Sequence, residues 1–561
     1  MLLSATDLLV TGALLVLGIF LYKGTTRSSR QLRLPYPPGP SRLPLIGNLL
    51  DFPTSSEAFN AWCKKLDTDL LYLRAFGNEF LILNSTEAIE DLLEKRSSIY
   101  SSRPTLPMID LMGWSWMFSV LPYGDMWRER RRAFTKYFHP GSTAVHQPYA
   151  IQFVRSMLPR LLDHPEDFLE ISRHSVTAFT ISLAYGFPIR EKDDPYVSLA
   201  ERALSSINEA SLPGSFLVNI LPVLRHVPEW MPGAEFKRKA RAWKKIQEQF
   251  RIVPFERTIK DMSNGIARPS FVTSNMSRLN ENACSTLFYV HQSATARTPP
   301  KFTNTITSTA ATDTTLAAVK LFFAAMLCYP EVQKKAQAEV DRVLQGRLLP
   351  EFTDEGDMPY VGAVIKELLR WKPIAPLAVP HSTTQDDVYR GFRIPKGVYV
   401  LANSWALLQD GDCFPNPTEF IPERFLHEDG VTPRSMGVWD PRRIAFGYGR
   451  RYGLRIDLHI FADKLMAPIT LVVCSFPLPT VTDRTCPGSH IAVSYLWMTV
   501  ASVLSMFDIS RERDEDGNEL PPDVEFHTGV VCEALPFKCT IRPRSSIAVA
   551  VIRGLEKEEV S

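Results

Sequence analysis

Apolar positions cluster first at the N-terminus, where residues 8–22 form an uncharged, mostly apolar run, somewhat short against the ~20 residues that span a bilayer. No basic residue precedes the run, whereas Lys23, Arg27, Arg30 and Arg33 follow it. A cleaved signal peptide carries positive charge in front, and positive flanks stay cytoplasmic. The pattern therefore predicts an uncleaved anchor with the body of the chain on the cytosolic side. A buried N-terminal helix is the competing reading. Pro35-Tyr36-Pro37-Pro38-Gly39-Pro40 excludes helix and central strand and predicts a stiff hinge.

Beyond the hinge, apolar runs at 70–73 and 80–83 flank Gly77-Asn78 and predict a β-hairpin. Helical spacing holds over 87–95, and over 157–249 with breaks at Pro159, Pro165, Pro188, Pro195, Pro213, Pro222, Pro228 and Pro232. The apolar stretch 217–231 reads equally as a contact with a membrane surface or as cover over a pocket. Helix is predicted for 314–344, split at Tyr329-Pro330, for 359–371 and for 489–506, and a strand for 399–403. The expected fold is mainly α with small β-sheets: an anchor (1–25), a basic and Pro-rich hinge (26–40) and a single large domain (41–561).

Composition narrows the function classes. The chain has 561 residues, 45% hydrophobic and 22% charged, ordinary globular material able to bury a large core. Sixty-three basic residues stand against 61 acidic ones, which leaves no footprint for nucleic acid. The 8 cysteines include no C-x-x-C pair, so neither a zinc site nor a disulfide framework is indicated, and a reducing compartment is expected.

Several motifs carry chemistry. Cys486-Pro487-Gly488 opens the helix predicted from 489, and a helix N-terminus offers unpaired N–H groups and positive potential to a thiolate. Cys474, within an apolar run, is the weaker ligand candidate and reads as an inert buried thiol. Upstream lies the glycine-loosened Phe446-Gly447-Tyr448-Gly449-Arg450-Arg451. Glu367 and Arg370 share a helix face at i, i+3, and Arg424 follows in Pro422-Glu423-Arg424-Phe425. Asp313-Thr314 places a carboxylate beside a hydroxyl, the pairing that moves protons, although the same dipeptide suits a helix cap. Trp127 and Arg131, with Arg128 alongside, sit in a basic helical run suited to carboxylates. Pro380-His381 adds a weaker cationic candidate.

Taken in order, these motifs resemble the cytochrome P-450 (haem-thiolate monooxygenase) family, fungal microsomal type. The resemblance implies heme b with Cys486 as axial thiolate, and Trp127, Arg131, His381, Phe446 and Arg451 against the cofactor. Ala311 stands where a small residue lets the haem approach. Asp313 and Thr314 become the catalytic proton relay, and Glu367, Arg370 and Arg424 a buried ion network behind the haem. It further implies O2, a small apolar substrate held by loops near 106–119 and 205–221, and electrons from an NADPH-cytochrome P-450 reductase. The expected location is the endoplasmic reticulum membrane, by a single-pass anchor.

Two segments depart from the pattern. The family places its cysteine seven residues after the phenylalanine; here that position is Gly453, and Cys486 lies 33 residues later. Removing 452–484 restores Phe-Gly-Tyr-Gly-Arg-Arg-Thr-Cys-Pro-Gly. Segment 452–484, and similarly 282–300, reads as translated intron, with a genuine insertion as the alternative. The rival function is an inactive, haem-free member of the fold or a mis-spliced gene product.

Overall fold

A computed structural model describes residues 34–44, 46–139, 141–211, 215–281, 310–449 and 486–560. The expected anchor, the basic part of the hinge, both atypical segments and Arg451 lie outside these residues.

The helices that shape the body are α1 (Ser56–Lys65), α2 (Asp125–Tyr137), α3 (Thr143–Asp163), α4 (Phe168–Tyr185), α5 (Pro195–Ser211), α6 (Glu235–Ser263), α7 (Phe271–Glu281), α8 (Ala310–Cys328), α9 (Pro330–Leu344), α10 (Pro359–Trp371), α11 (Ser489–Met506) and α12 (Ser546–Val560). The strands are β1 (Leu70–Ala75), β2 (Asn78–Leu83), β3 (His381–Ser382), β4 (Asp387–Tyr389), β5 (Phe392–Ile394), β6 (Tyr399–Ala402), β7 (Phe507–Ser510), β8 (Phe526–Thr528), β9 (Cys532–Ala534) and β10 (Thr540–Pro543). The helix-rich architecture with small sheets matches expectation.

The hairpin forms, one residue earlier than its turn signal suggests. Phe76 and Gly77 take φ of 47° and 82°, the paired positive values that suit the twist of a two-residue hairpin, and Leu70 pairs with Leu83. Strand β2 then pairs parallel with β6, Phe80 opposite Tyr399, and β3 closes the order β1-β2-β6-β3. The Pro-rich segment is not a free hinge: the Tyr72 N–H donates to Pro38 O at 2.8 Å and the Arg393 N–H to Pro35 O at 2.8 Å. Tyr36 stacks on Tyr72, and a Cβ at Gly39 would overlap Tyr72 O.

Helix α11 is the axle of the fold, packed by α3, α8, α9 and α10. Among the described residues it is the helix long and apolar enough to cross a membrane, but 72% of it is buried inside the protein. That is the signature of a core helix. The polypeptide turns by 108° between α8 and α9 at Tyr329-Pro330, where the pre-proline restriction ends the first helix.

Several expectations need correction. Pro159 does not break a helix: it and Pro148 lie inside α3, tolerated because buried apolar contacts outweigh one lost backbone bond. Helical spacing at 87–95 is met by Thr86–Ile89 followed by a wider π-helical turn, Glu90–Lys95. Helix α12 was not anticipated; Ala548 and Ile552 are fully buried, and Arg553 bonds Asp163 of α3 at 3.0 Å.

Candidate functional site

The two halves of the split loop meet in space. The Cys486 N–H donates to Phe446 O at 3.1 Å, and the Ser489 N–H donates to Cys486 O at 3.0 Å as α11 begins. Its thiol accepts from the Gly488 and Ser489 N–H groups. Burial pushes the thiol pKa up, while those two donors and the Arg131 guanidinium pull it down. The upstream half has its own anchors. Gly449 has φ +82°, and a Cβ there would sit 2.7 Å from Leu93 O, so only glycine fits. Its N–H donates to Glu94 Oε1 at 2.7 Å. Tyr448 bonds Ser404 Oγ at 3.0 Å, and Phe446 packs on the core.

Helix α2 presents Trp127 and Arg131 on its buried side. Trp127 stacks on Phe118 at 5.6 Å, and Arg131 is 9% exposed. Arg130, one residue earlier, is also buried and donates to Trp116 O. Arg128 is not brought to this side: it is exposed, pairs with Asp125 and lies over Tyr123, because the helix turns it toward solvent. His381 is buried in β3, its Nδ1 2.7 Å from Tyr100 O.

Asp313 does not cap a helix. It lies in the first turn of α8, which begins at Ala310, and Asn208 Nδ2 of α5 donates to its Oδ2 at 2.8 Å. Burial pushes its pKa up, the Asn208 bond pulls it down, Glu533 raises it, and Lys320 and Arg173 lower it. Thr314 follows it, half-buried. Ala311 lies in the same turn; its side chain falls outside the described residues.

The ion network is complete. Arg370 Nε donates to Glu367 Oε2 at 2.6 Å and Nη2 to Oε1 at 2.8 Å. Its remaining donors reach Leu408 O, Pro417 O and Glu419 O. Arg424 Nε reaches Glu367 Oε1 at 3.2 Å, and the Ile421 N–H the same oxygen at 2.8 Å. Every guanidinium proton of Arg370 thus has an acceptor, the condition under which a buried ion is tolerated.

Sequence reasoning missed two polar residues. Arg103, 5% exposed, donates from Nε to Ser119 O at 3.1 Å and from Nη1 to Pro380 O at 2.7 Å. It ties the loop before α2 to the strand bearing His381. Asn208 is the other. A lone arginine and a lone asparagine carry no spacing signal, so neither could be found from pattern alone.

Comparison with known sequences agrees with this geometry. The family profile described as Cytochrome P450 matches residues 37–453, ending where the upstream half of the loop ends. The chain is 39% identical over 521 residues to the cytochrome P450 monooxygenase ple1 of Rhodocybe pseudopiperita, covering 92% of this chain and 91% of that one. It is 38% identical over 548 residues to the tryptamine 4-monooxygenase of Psilocybe cyanescens, covering 96% and 99%. It is 37% identical over 552 residues to cytochrome P450 monooxygenase 98 of Postia placenta, covering 97% of each.

Proposed function

The chain belongs to the cytochrome P450 family and is a monooxygenase, an oxidoreductase that incorporates oxygen, and we propose that it holds heme b through Cys486 and oxidises a small apolar substrate. One observation carries the reading: Cys486 stands against Phe446 at the start of α11 although 33 residues separate the loop halves in sequence. The donor set suits the group. Burial holds the Cys486 thiol above its ordinary pKa, yet its place at a helix N-terminus beside buried Arg131 gives a sulfur that coordination to iron would deprotonate. Arg131, Trp127 and His381 would take the propionates, with Arg451, outside the described residues, beside the cysteine.

When bound, the haem activates O2 for insertion of one oxygen atom into the substrate. Thr314 would hold a proton at its hydroxyl, and Asp313 would replace it from the α5 side. Glu367, Arg370 and Arg424 fix α10 against the 415–425 segment. Electrons would come from an NADPH-cytochrome P-450 reductase, as membership of the family implies. A relative that acts on tryptamine, a small aromatic amine, supports a substrate of that size. Membrane attachment, through 1–25 at the endoplasmic reticulum, is supported by exposed Leu217, Val223 and Trp230 (61%, 63% and 79%), apolar groups that gain from leaving water.

The test is the reduced, carbon-monoxide difference spectrum of the full chain and of a variant lacking 452–484. A thiolate-type Soret band from the full chain is the expected result and marks the insertion as tolerated. A band from the shortened variant alone assigns 452–484 to an intron. No thiolate band from either refutes Cys486 as ligand.

A further inference from the structure

Between α8, α4, α5 and the β8–β9 hairpin lies a cleft of about 500 Å3, whose lining does not include Cys486. Its charged walls come from every neighbouring element: Arg173 of α4, Glu201 and Glu209 of α5, Lys320 of α8, and His527 and Glu533 of the β8–β9 hairpin. Most of these charges are already committed. Lys320 Nζ lies 2.7 Å from Glu533 Oε2, Glu209 pairs with Lys239 of α6, and Arg173 lies 3.7 Å from Glu170. Helix α8 packs mainly on α4, α11 and β9 rather than on α5. The bond from Asn208 to Asp313 joins α5 to α8 along the wall of the cleft.

We propose that Asn208 is a positioning residue for proton delivery: its amide holds Asp313 turned into the cleft, and the cleft is the path by which protons from solvent reach that carboxylate. The inference rests on Asp313 being the relay acid.

The chemistry follows from the contacts. An acid beside the reacting centre must be refilled after each proton it gives, from a source that does not flood the apolar site. A cleft of this volume walled by charged side chains admits water, and Asp313 is part of its lining. The amide engages one oxygen, Oδ2, which leaves Oδ1 to exchange a proton with water. A neutral donor on a carboxylate favours the ionised form, whereas burial favours the protonated one, and both act on Asp313. Asn208 is exposed near the C-terminal end of α5.

The experiment uses the full chain, with Asn208→Leu, Asn208→Asp, Asn208→Gln and Asp313→Asn. Isotope-edited infrared titration reads the protonation of Asp313, identified as the aspartate carboxyl band that Asp313→Asn removes. In the holoenzyme, peroxide released per O2 consumed and the solvent isotope effect on turnover read proton supply. Loss of one charge-assisted hydrogen bond predicts that Asn208→Leu raises the proton affinity of Asp313 about tenfold. It also raises the peroxide share several-fold. Asn208→Asp, of the same shape but without the donor, moves both the same way, and Asn208→Gln restores part of each. If Asn208→Leu and Asn208→Asp shift neither readout while Asp313→Asn shifts peroxide release, the inference about Asn208 fails alone. If Asp313→Asn leaves peroxide release and isotope effect unchanged, Asp313 is not the relay and the underlying reading fails with it.

Discussion

Replacing Glu367 with Gln tests whether the buried ion network holds the fold as its geometry implies. Glu367 and Arg370 are both fully buried, and Arg424 joins them with its side chain 10% exposed. Four donors converge on the carboxylate: Arg370 Nε and Nη2, Arg424 Nε and the Ile421 N–H. Glutamine keeps the shape but removes the charge and turns an N–H2 toward guanidinium donors. Unit charges about 4 Å apart attract by about 4 kcal/mol at an effective dielectric near 20. Removing one partner of a buried pair costs about 3–5 kcal/mol. With two guanidiniums left without their counter-charge, the upper half of that range applies. Urea unfolding followed by near-ultraviolet circular dichroism measures it. The control is Glu170→Gln, which breaks an exposed i, i+3 pair with Arg173 and should move stability by no more than about 0.5 kcal/mol. Adding Arg424→Met to Glu367→Gln removes one uncompensated cation, so the double variant should cost less than the sum of the singles by about 1–3 kcal/mol. A cost below about 1 kcal/mol for Glu367→Gln, or strict additivity in the cycle, refutes the argument.

Three further outcomes follow from particular contacts. His146 is buried against Ser494 Oγ at 3.3 Å, and burial pushes its pKa from 6.5 to about 4. The unfolded chain therefore binds a proton that the folded one refuses, so stability falls as pH drops from 6.5 toward 4. His146→Leu should flatten that slope in a pH series of urea melts, and an unchanged slope sinks the assignment. Gly449→Ala forces a Cβ against Leu93 O at positive φ and should cost about 1–3 kcal/mol and lower haem retention at equal protein; wild-type haem content would overturn this. Burial raises the thiol pKa of Cys63 and Cys539 to about 12 and of Cys532 to about 11. Buried Cys63 and Cys532 should escape iodoacetamide at pH 8 in the native protein, and half-buried Cys539 should react more slowly than a free thiol, as read by peptide mass spectrometry; labelling at a free thiol's rate contradicts this.

Legibility in the sequence tracks how local the determinant is. The helices at 359–371 and 489–506 were readable to the residue because apolar periodicity and proline boundaries are local signals, and observed α10 and α11 have those bounds. The trio Glu367, Arg370 and Arg424 was legible through the family resemblance, since an i, i+3 pair alone is a common surface feature. Asn208 and Arg103 were not, since each acts across more than a hundred residues of chain: Asn208 on Asp313, and Arg103 on Pro380. Pro159 misled because tertiary burial in α3 overrides a local penalty, and Arg128 because motif spacing does not say which side of a helix faces solvent.

The split loop is where local and global reasoning diverge most, and physical magnitudes decide between them. Lengthening a connection from a few residues to several tens, with its ends fixed, costs only about 2 kcal/mol of closure entropy. Against that stand anchors independent of the connection. On one side are Gly449 on Leu93 and Glu94 and Tyr448 on Ser404. On the other is α11, gripped by α3, α8, α9 and α10. Each half is placed by packing rather than by its covalent neighbour, so Phe446 and Cys486 meet whatever lies between. A sequence pattern counts residues along the chain and reads the insertion as a break. Free energy counts contacts in space, and the contacts that aim the Cys486 sulfur are made by α11 and α2, neither of which the insertion interrupts.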